Sequence, residues 1–163
     1  MTDAGYVYER IKFEECAEKA RLTKESQEQI AMLRKVPLFS NLNDKNLKTF
    51  AEGAKTLTYV PGQQIVEEGT SGVGFFLILD GNVRVRKGKK NLAELQSGDF
   101  FGEMSLFDEQ PRSATVEAIT PTKCLGITAW SFMGMVRSNP DIAVNVMKVL
   151  AARLRQSDKA LAE

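Results

Sequence analysis

The sequence predicts an α+β fold: an antiparallel eight-stranded β-roll, a double-stranded jelly roll, with helices at both ends. Three observations lead to it. Between Lys55 and Ile127 the chain is a series of short β-forming runs, each stopped by turn residues. From Tyr6 to Lys35 it is instead rich in Glu, Lys, Ala, Gln and Arg, without proline or glycine. From Ala129 onward the apolar residues return to a helical period.

Taken in order, residues 1–35 read as a helical N-terminal extension and 36–163 as the folded domain. Thr23, Ser26 and Gln27 restart a helix that Pro37 ends. Val7, Ile11, Phe13, Ala17 and Ala20 form an imperfect apolar stripe, which either caps the domain or docks a partner. Asn43 or Asp44 caps the next helix, with Leu47 and Phe50 turned to the core. The roll occupies about 55–128, with turns at Pro61-Gly62, Gly69, Ser71-Gly72, Asp80-Gly81, Lys87-Gly88 and Ser97-Gly98-Asp99. Asp80-Gly81-Asn82, between two apolar runs, predicts a hairpin. After it Val83 and Val85 face one way and Arg84 and Arg86 the other. Lys87, Lys89 and Lys90 read as a solvated hairpin tip. The C-terminal helices span about 129–161, and Asn139-Pro140 starts the second of them. Ile142, Val146, Val149, Leu150, Ala152, Leu154 and Leu161 run along that helix.

Composition narrows the function. With 163 residues, 22 basic and 21 acidic, the chain carries a formal +1 and no strong field for nucleic acid or an anionic membrane. The longest apolar run, Val73 to Leu79, is far below bilayer length and is broken by Gly74. Polar residues at the start argue against a signal peptide, so a cytoplasmic location is expected. Cys16 and Cys124 have neither disulfide nor zinc spacing. Histidine is absent, which argues against cupin-type metal enzymes and haem sensors, and two cysteines are too few for an iron–sulfur centre. No metal is expected, and no nucleophile–base pair suggests an enzyme.

One acid and one arginine stand around a glycine-tight turn in the segment Phe101 to Val116. Its order is Phe101-Gly-Glu, Met104-Ser-Leu, four spacer residues, then Pro111-Arg-Ser-Ala. In isolation Glu103 reads as a surface acid and Arg112 as half of an exposed salt bridge. Held in one frame, they resemble the phosphate-binding cassette of cyclic-nucleotide-binding domains. That family includes the catabolite activator protein, the regulatory subunits of protein kinase A and cyclic-nucleotide-gated channels. Val36 to Leu42 also resembles the entry to the family domain.

The resemblance implies a sensor with a cyclic nucleotide as ligand. Arg112 would neutralise the cyclic phosphate with a planar, multi-donor cation. Backbone N–H groups of Ser105, Ser113 and Ala114 would help cradle it, beside Met104, and Gly102 would allow close backbone approach. Glu103 would accept the ribose 2′-hydroxyl. Val85, Leu92 and Ala93 would line the base, although the same residues also suit plain roll core. Arg153 or Arg155 on the last helix would form a lid over the base, with Ser157 nearby. Phe132, Met133, Val136 and the last helix would form the hinge that moves.

Ser113 follows the arginine where relatives carry alanine or threonine, so the base preference stays open; family frequency favours cAMP over cGMP. The alternative is a degenerate member serving as a protein-interaction module without nucleotide. The bacterial transcription factors continue into a helix-turn-helix, and no such segment follows here, so DNA is not an expected partner. A homodimer through the last helix, or an unidentified output protein, remains open.

Overall fold

The computed structural model describes residues 15–17, 19, 24–72 and 74–162. The expected stripe residues Val7, Ile11, Phe13 and Ala20 lie outside these, and Ala17 is exposed. Helix α1 covers 24–34 and contributes Leu33, which is fully buried. A short 3-10 turn, Pro37–Phe39, follows with Pro37 in its first position. Helix α2 (Asp44–Glu52) is capped by Asn43, whose side chain accepts the Asn46 N–H at 2.9 Å. Leu47 and Phe50 are fully buried on its inner face.

Eight strands are present among the described residues, in two four-stranded antiparallel sheets. Strands β1 (Ala54–Tyr59), β8 (Thr122–Thr128), β3 (Gly74–Asp80) and β6 (Phe100–Phe101) form one sheet, in that spatial order. Strands β2 (Gln64–Val66), β7 (Thr115–Ala118), β4 (Asn82–Lys87) and β5 (Lys90–Gln96) form the other. The run from Phe75 to Leu79 is apolar throughout because both of its faces are covered. Phe75, Leu77 and Leu79 enter a core shared with the helices, while Phe76 and Ile78 enter a second core that joins the two sheets. Strand β6 divides in the same way, Phe100 to the helical side and Phe101 to the inter-sheet side.

The Asp80-Gly81-Asn82 hairpin is corrected. Strand β3 pairs with β8 and β6, and β4 pairs with β5 and β7, so this turn carries the chain from one sheet to the other. Gly81 has φ +95°, and a Cβ there would lie 2.5 Å from the Pro121 carbonyl oxygen. The hairpin in this region is β4–β5, with Lys87 opposite Lys90 and the basic residues exposed at its tip. Arg84 and Arg86 do share the outer face, where they pair with Glu117 at 3.5 and 3.4 Å.

Helix α3 is the five-residue Met104–Asp108. Helix α4 (Ala129–Ser138) is capped by Thr128 and buries Phe132, whose ring stacks on Phe75 at 5.0 Å. Helix α5 (Asp141–Ala162) is held along its first half. Ile142 and Val146 are buried there, Val149 and Leu150 pack beside them, and Asn145 Nδ2 donates to the Leu38 carbonyl at 3.0 Å. Leu154 and Leu161 are 63% and 86% exposed, so the expected stripe is continuous in sequence but only partly buried. No helix among the described residues is long and apolar enough to cross a membrane.

Candidate functional site

Strand β6 ends at Phe101, and Gly102 turns the chain into α3 with φ +85°. A Cβ at Gly102 would sit 2.6 Å from the Gly74 carbonyl oxygen and 2.7 Å from Arg112 Nη1. Only glycine satisfies both the dihedral and the space. The chain leaves α3 through Glu109, which has φ +54° and is the only non-glycine residue with positive φ among those described.

Arg112 is fixed at its backbone and at its tip. Its N–H donates to the Thr70 carbonyl at 2.9 Å, and its own carbonyl accepts the Gly69 N–H at 2.8 Å. Nη1 donates to the carbonyls of Gly74 at 3.0 Å and Gly102 at 3.2 Å, and the guanidinium carbon lies 5.9 Å from the Phe76 ring centre. Phe76 in turn stacks on Phe101 at 5.2 Å. Arg112 is 7% exposed, and among the described residues no carboxylate lies within ion-pair distance of it. Burial pushes its pKa down, and the nearby Glu103 charge partly opposes this. A guanidinium stays cationic through such a shift at neutral pH. The site thus holds a buried cation whose partners are neutral carbonyls.

Glu103 is 6% exposed and stands at the start of α3, yet its side chain caps nothing there. Its Oε1 accepts from Arg153 Nη1 at 3.2 Å. The same guanidinium donates through Nη2 to the Phe100 carbonyl and lies 4.7 Å from the Phe100 ring centre. Arg153 therefore reaches the cassette from α5 and engages the acid itself.

The other sequence-predicted residues separate into two groups. Ser105 is buried beside Glu103, Ala114 is half-buried, and Ser113 Oγ approaches Met104 Sδ at 3.7 Å in an exposed position. Val85 packs into the inter-sheet core opposite Ala93. Ala93 and Leu92 are exposed on the edge strand β5, Leu92 at 52%, so a roll-core assignment for these two is corrected. Arg155 is exposed, and Ser157 Oγ donates to the Arg153 carbonyl within the helix. Sequence reasoning missed the Gly74 carbonyl, the Phe76 ring and the Phe100 carbonyl as holders of the two arginines. Their one visible signal was Gly74 itself, a glycine at the head of an apolar run.

Among the described residues no cluster of three or more His, Cys, Asp or Glu side chains could hold a metal.

Comparison with known proteins gives consistent matches. A family model, Cyclic nucleotide-binding domain, matches residues 56–139. The cGMP-dependent protein kinase, isozyme 1, of Drosophila melanogaster is 36% identical over 115 residues, which are 66% of this chain and 15% of that protein. The Cyclic AMP receptor protein of Thermus thermophilus is 32% identical over 130 residues, 77% of this chain and 60% of that protein. The crystal structure of Thermus thermophilus Catabolite Activator Protein superposes with a TM-score of 0.69 at 33% identity, covering 77% of this chain and 62% of the other. The chain spans less than two thirds of each of these proteins. The matched residues run from β1 to the end of α4 and contain Gly102, Glu103 and Arg112, and the chain belongs to the cyclic nucleotide-binding domain family.

Proposed function

We propose that this chain is a regulatory sensor that binds a cyclic nucleoside monophosphate, cAMP in preference to cGMP, and transmits binding through movement of α5. The observation that carries the reading is Arg112, a buried guanidinium held by the Gly74 and Gly102 carbonyls with no carboxylate paired to it. A cyclic phosphodiester carries one permanent negative charge, and burying it away from water requires a charge partner and several donors. Arg112 supplies the charge, and the turn at Gly102 brings backbone close enough to share the work. Glu103, twice removed from Phe101 along the same turn, takes the ribose 2′-hydroxyl.

In this reading the sheets form a jelly roll around the ligand, and α4 and α5 act as hinge and lid. Phe132, stacked on Phe75, joins α4 to the sheet that carries β6. The ligand drives closure only to the extent that it binds the closed arrangement more tightly than the open one. The outward residues of α5, Met147 and Leu154 among them, then serve a second copy or an output protein.

Titration calorimetry with cAMP and cGMP on separate samples, after removal of any co-purified nucleotide, tests the proposal. Micromolar or tighter binding supports it, and the ratio of the two affinities decides the base preference. Absence of heat from either, on folded protein, favours an interaction module that keeps the fold without the ligand.

A further inference from the structure

Glu103 and Arg112 are opposite charges, both more than nine-tenths buried, and they flank the short helix α3. Glu103 acts electrostatically on Arg112. In a poorly solvated setting such charges attract strongly, and a direct ion pair between them would leave Arg112 neutralised in advance. The two are nevertheless not paired. Their partners have been sorted: Glu103 Oε1 goes to Arg153, while Arg112 Nη1 goes to two backbone carbonyls.

We propose that Arg153 is a positioning residue, which holds Glu103 away from Arg112 so that the buried cation keeps its charge for a phosphate. Three contacts suit Arg153 to the task. One nitrogen holds the Glu103 carboxylate, another holds the Phe100 carbonyl, and the guanidinium lies over the Phe100 ring. A planar fork that meets a carboxylate, a carbonyl and a ring at once is a property of arginine and not of lysine. Arg153 is also the more accessible partner, its side chain 29% exposed against 8% for Glu103. It supplies the counter-charge from outside, without entering the space around Arg112. Without it, Glu103 would be a buried, unpaired carboxylate whose charge acts on Arg112 and would oppose any anion there.

This inference rests on the sensor reading above, and the test separates the two. The probe is the 2′-deoxy form of whichever cyclic nucleotide the wild-type chain binds, since it lacks the hydroxyl that Glu103 accepts. Affinities are measured by calorimetry on the full chain, with folding followed by circular dichroism. Arg153→Ala is expected to weaken the deoxy probe roughly tenfold, and adding Glu103→Gln to it should restore most of that loss, a coupling expected of neighbouring charges. Arg153→Gln, which keeps length and a donor for Phe100, serves where the alanine variant does not fold, with the same rescue expected. A double variant as weak as the single one would mean that Arg153 acts only through packing of α5, and would overturn the proposal. Unchanged affinity in Arg153→Ala would overturn it as well. Failure of the wild-type chain to bind either natural nucleotide would instead remove the sensor reading, and this proposal with it.

Discussion

Arg153 Nη1 and Glu103 Oε1 lie 3.2 Å apart across fifty residues of sequence, joining α5 to the start of α3. That single bond places both ends of the proposed sensor, ligand turn and moving helix, in one electrostatic unit.

Arg112→Ala is expected to weaken cyclic-nucleotide binding by roughly 2–5 kcal/mol, because a phosphate at this turn loses its buried charge partner. Calorimetry against the wild-type chain checks it. Near-normal affinity would mean that another group carries the neutralisation.

Glu103→Gln should cost less, about 1–3 kcal/mol for a charged hydrogen bond replaced by a neutral one. Its signature is selective. The preference for the ribose over the 2′-deoxyribose nucleotide should narrow, and a preference left intact would remove Glu103 from that role.

Gly81→Ala and Gly102→Ala form a matched pair. Both positions have strongly positive φ, and at both a Cβ would come within 2.7 Å of a carbonyl oxygen. Each substitution should destabilise the fold by more than about 1 kcal/mol in denaturant titration. Only Gly102→Ala should also lower nucleotide affinity, since its Cβ would press on Arg112 Nη1 while that of Gly81 meets Pro121 and Thr122. Equal affinity loss in both would argue against a local role for Gly102.

Cys124 is fully buried between the sheets, and burial pushes its thiol from the ordinary 9.0 up to about 12. Tyr59 is raised as well, by burial and by the neighbouring Cys124. A group whose folded pKa exceeds its unfolded one holds its proton more tightly in the fold, so the unfolded chain gains from ionising first. The stability this group contributes is therefore complete below pH 9 and is lost as the pH rises toward 12. Denaturant midpoints measured upward from pH 8 should fall, and Cys124→Ala should flatten the part due to the thiol. In native protein at neutral pH, a thiol reagent should modify the exposed Cys16 and leave Cys124 until the chain unfolds.

Local chemistry was legible in the sequence, and long-range choice was not. The cap at Asn43 or Asp44, of which the structure has Asn43, the inward Leu47 and Phe50, and the break at Asn139-Pro140 all depend on a few neighbouring residues. Asp80-Gly81-Asn82 marked a break between two strands, but the chain crosses there to the other sheet without reversing, with β3 against β8 and β4 against β7. Pairing β3 with β8 is decided by which faces the whole sheet can bury. Leu92 and Ala93 look apolar enough for a core, yet β5 is an edge strand, and position in the sheet overrides residue type. Glu103 and Arg112 were recognisable from their frame. Arg153 as the partner of Glu103 was not, because that contact depends on the rotation of α5, which is set by Ile142, Val146 and the Asn145–Leu38 bond.

Those anchors hold the first half of α5, so in the proposed sensor the helix would pivot near Leu150. Beyond Leu150 the helix runs on for twelve residues to Ala162, about 18 Å at the usual rise per residue. A tilt of about 10° at the anchored half would carry the far tip by roughly 3 Å, while Arg153, close to the pivot, would travel only about a quarter of that. In the proposed sensor, a displacement just large enough to break the one bond at Glu103 would be multiplied severalfold at the exposed Leu161.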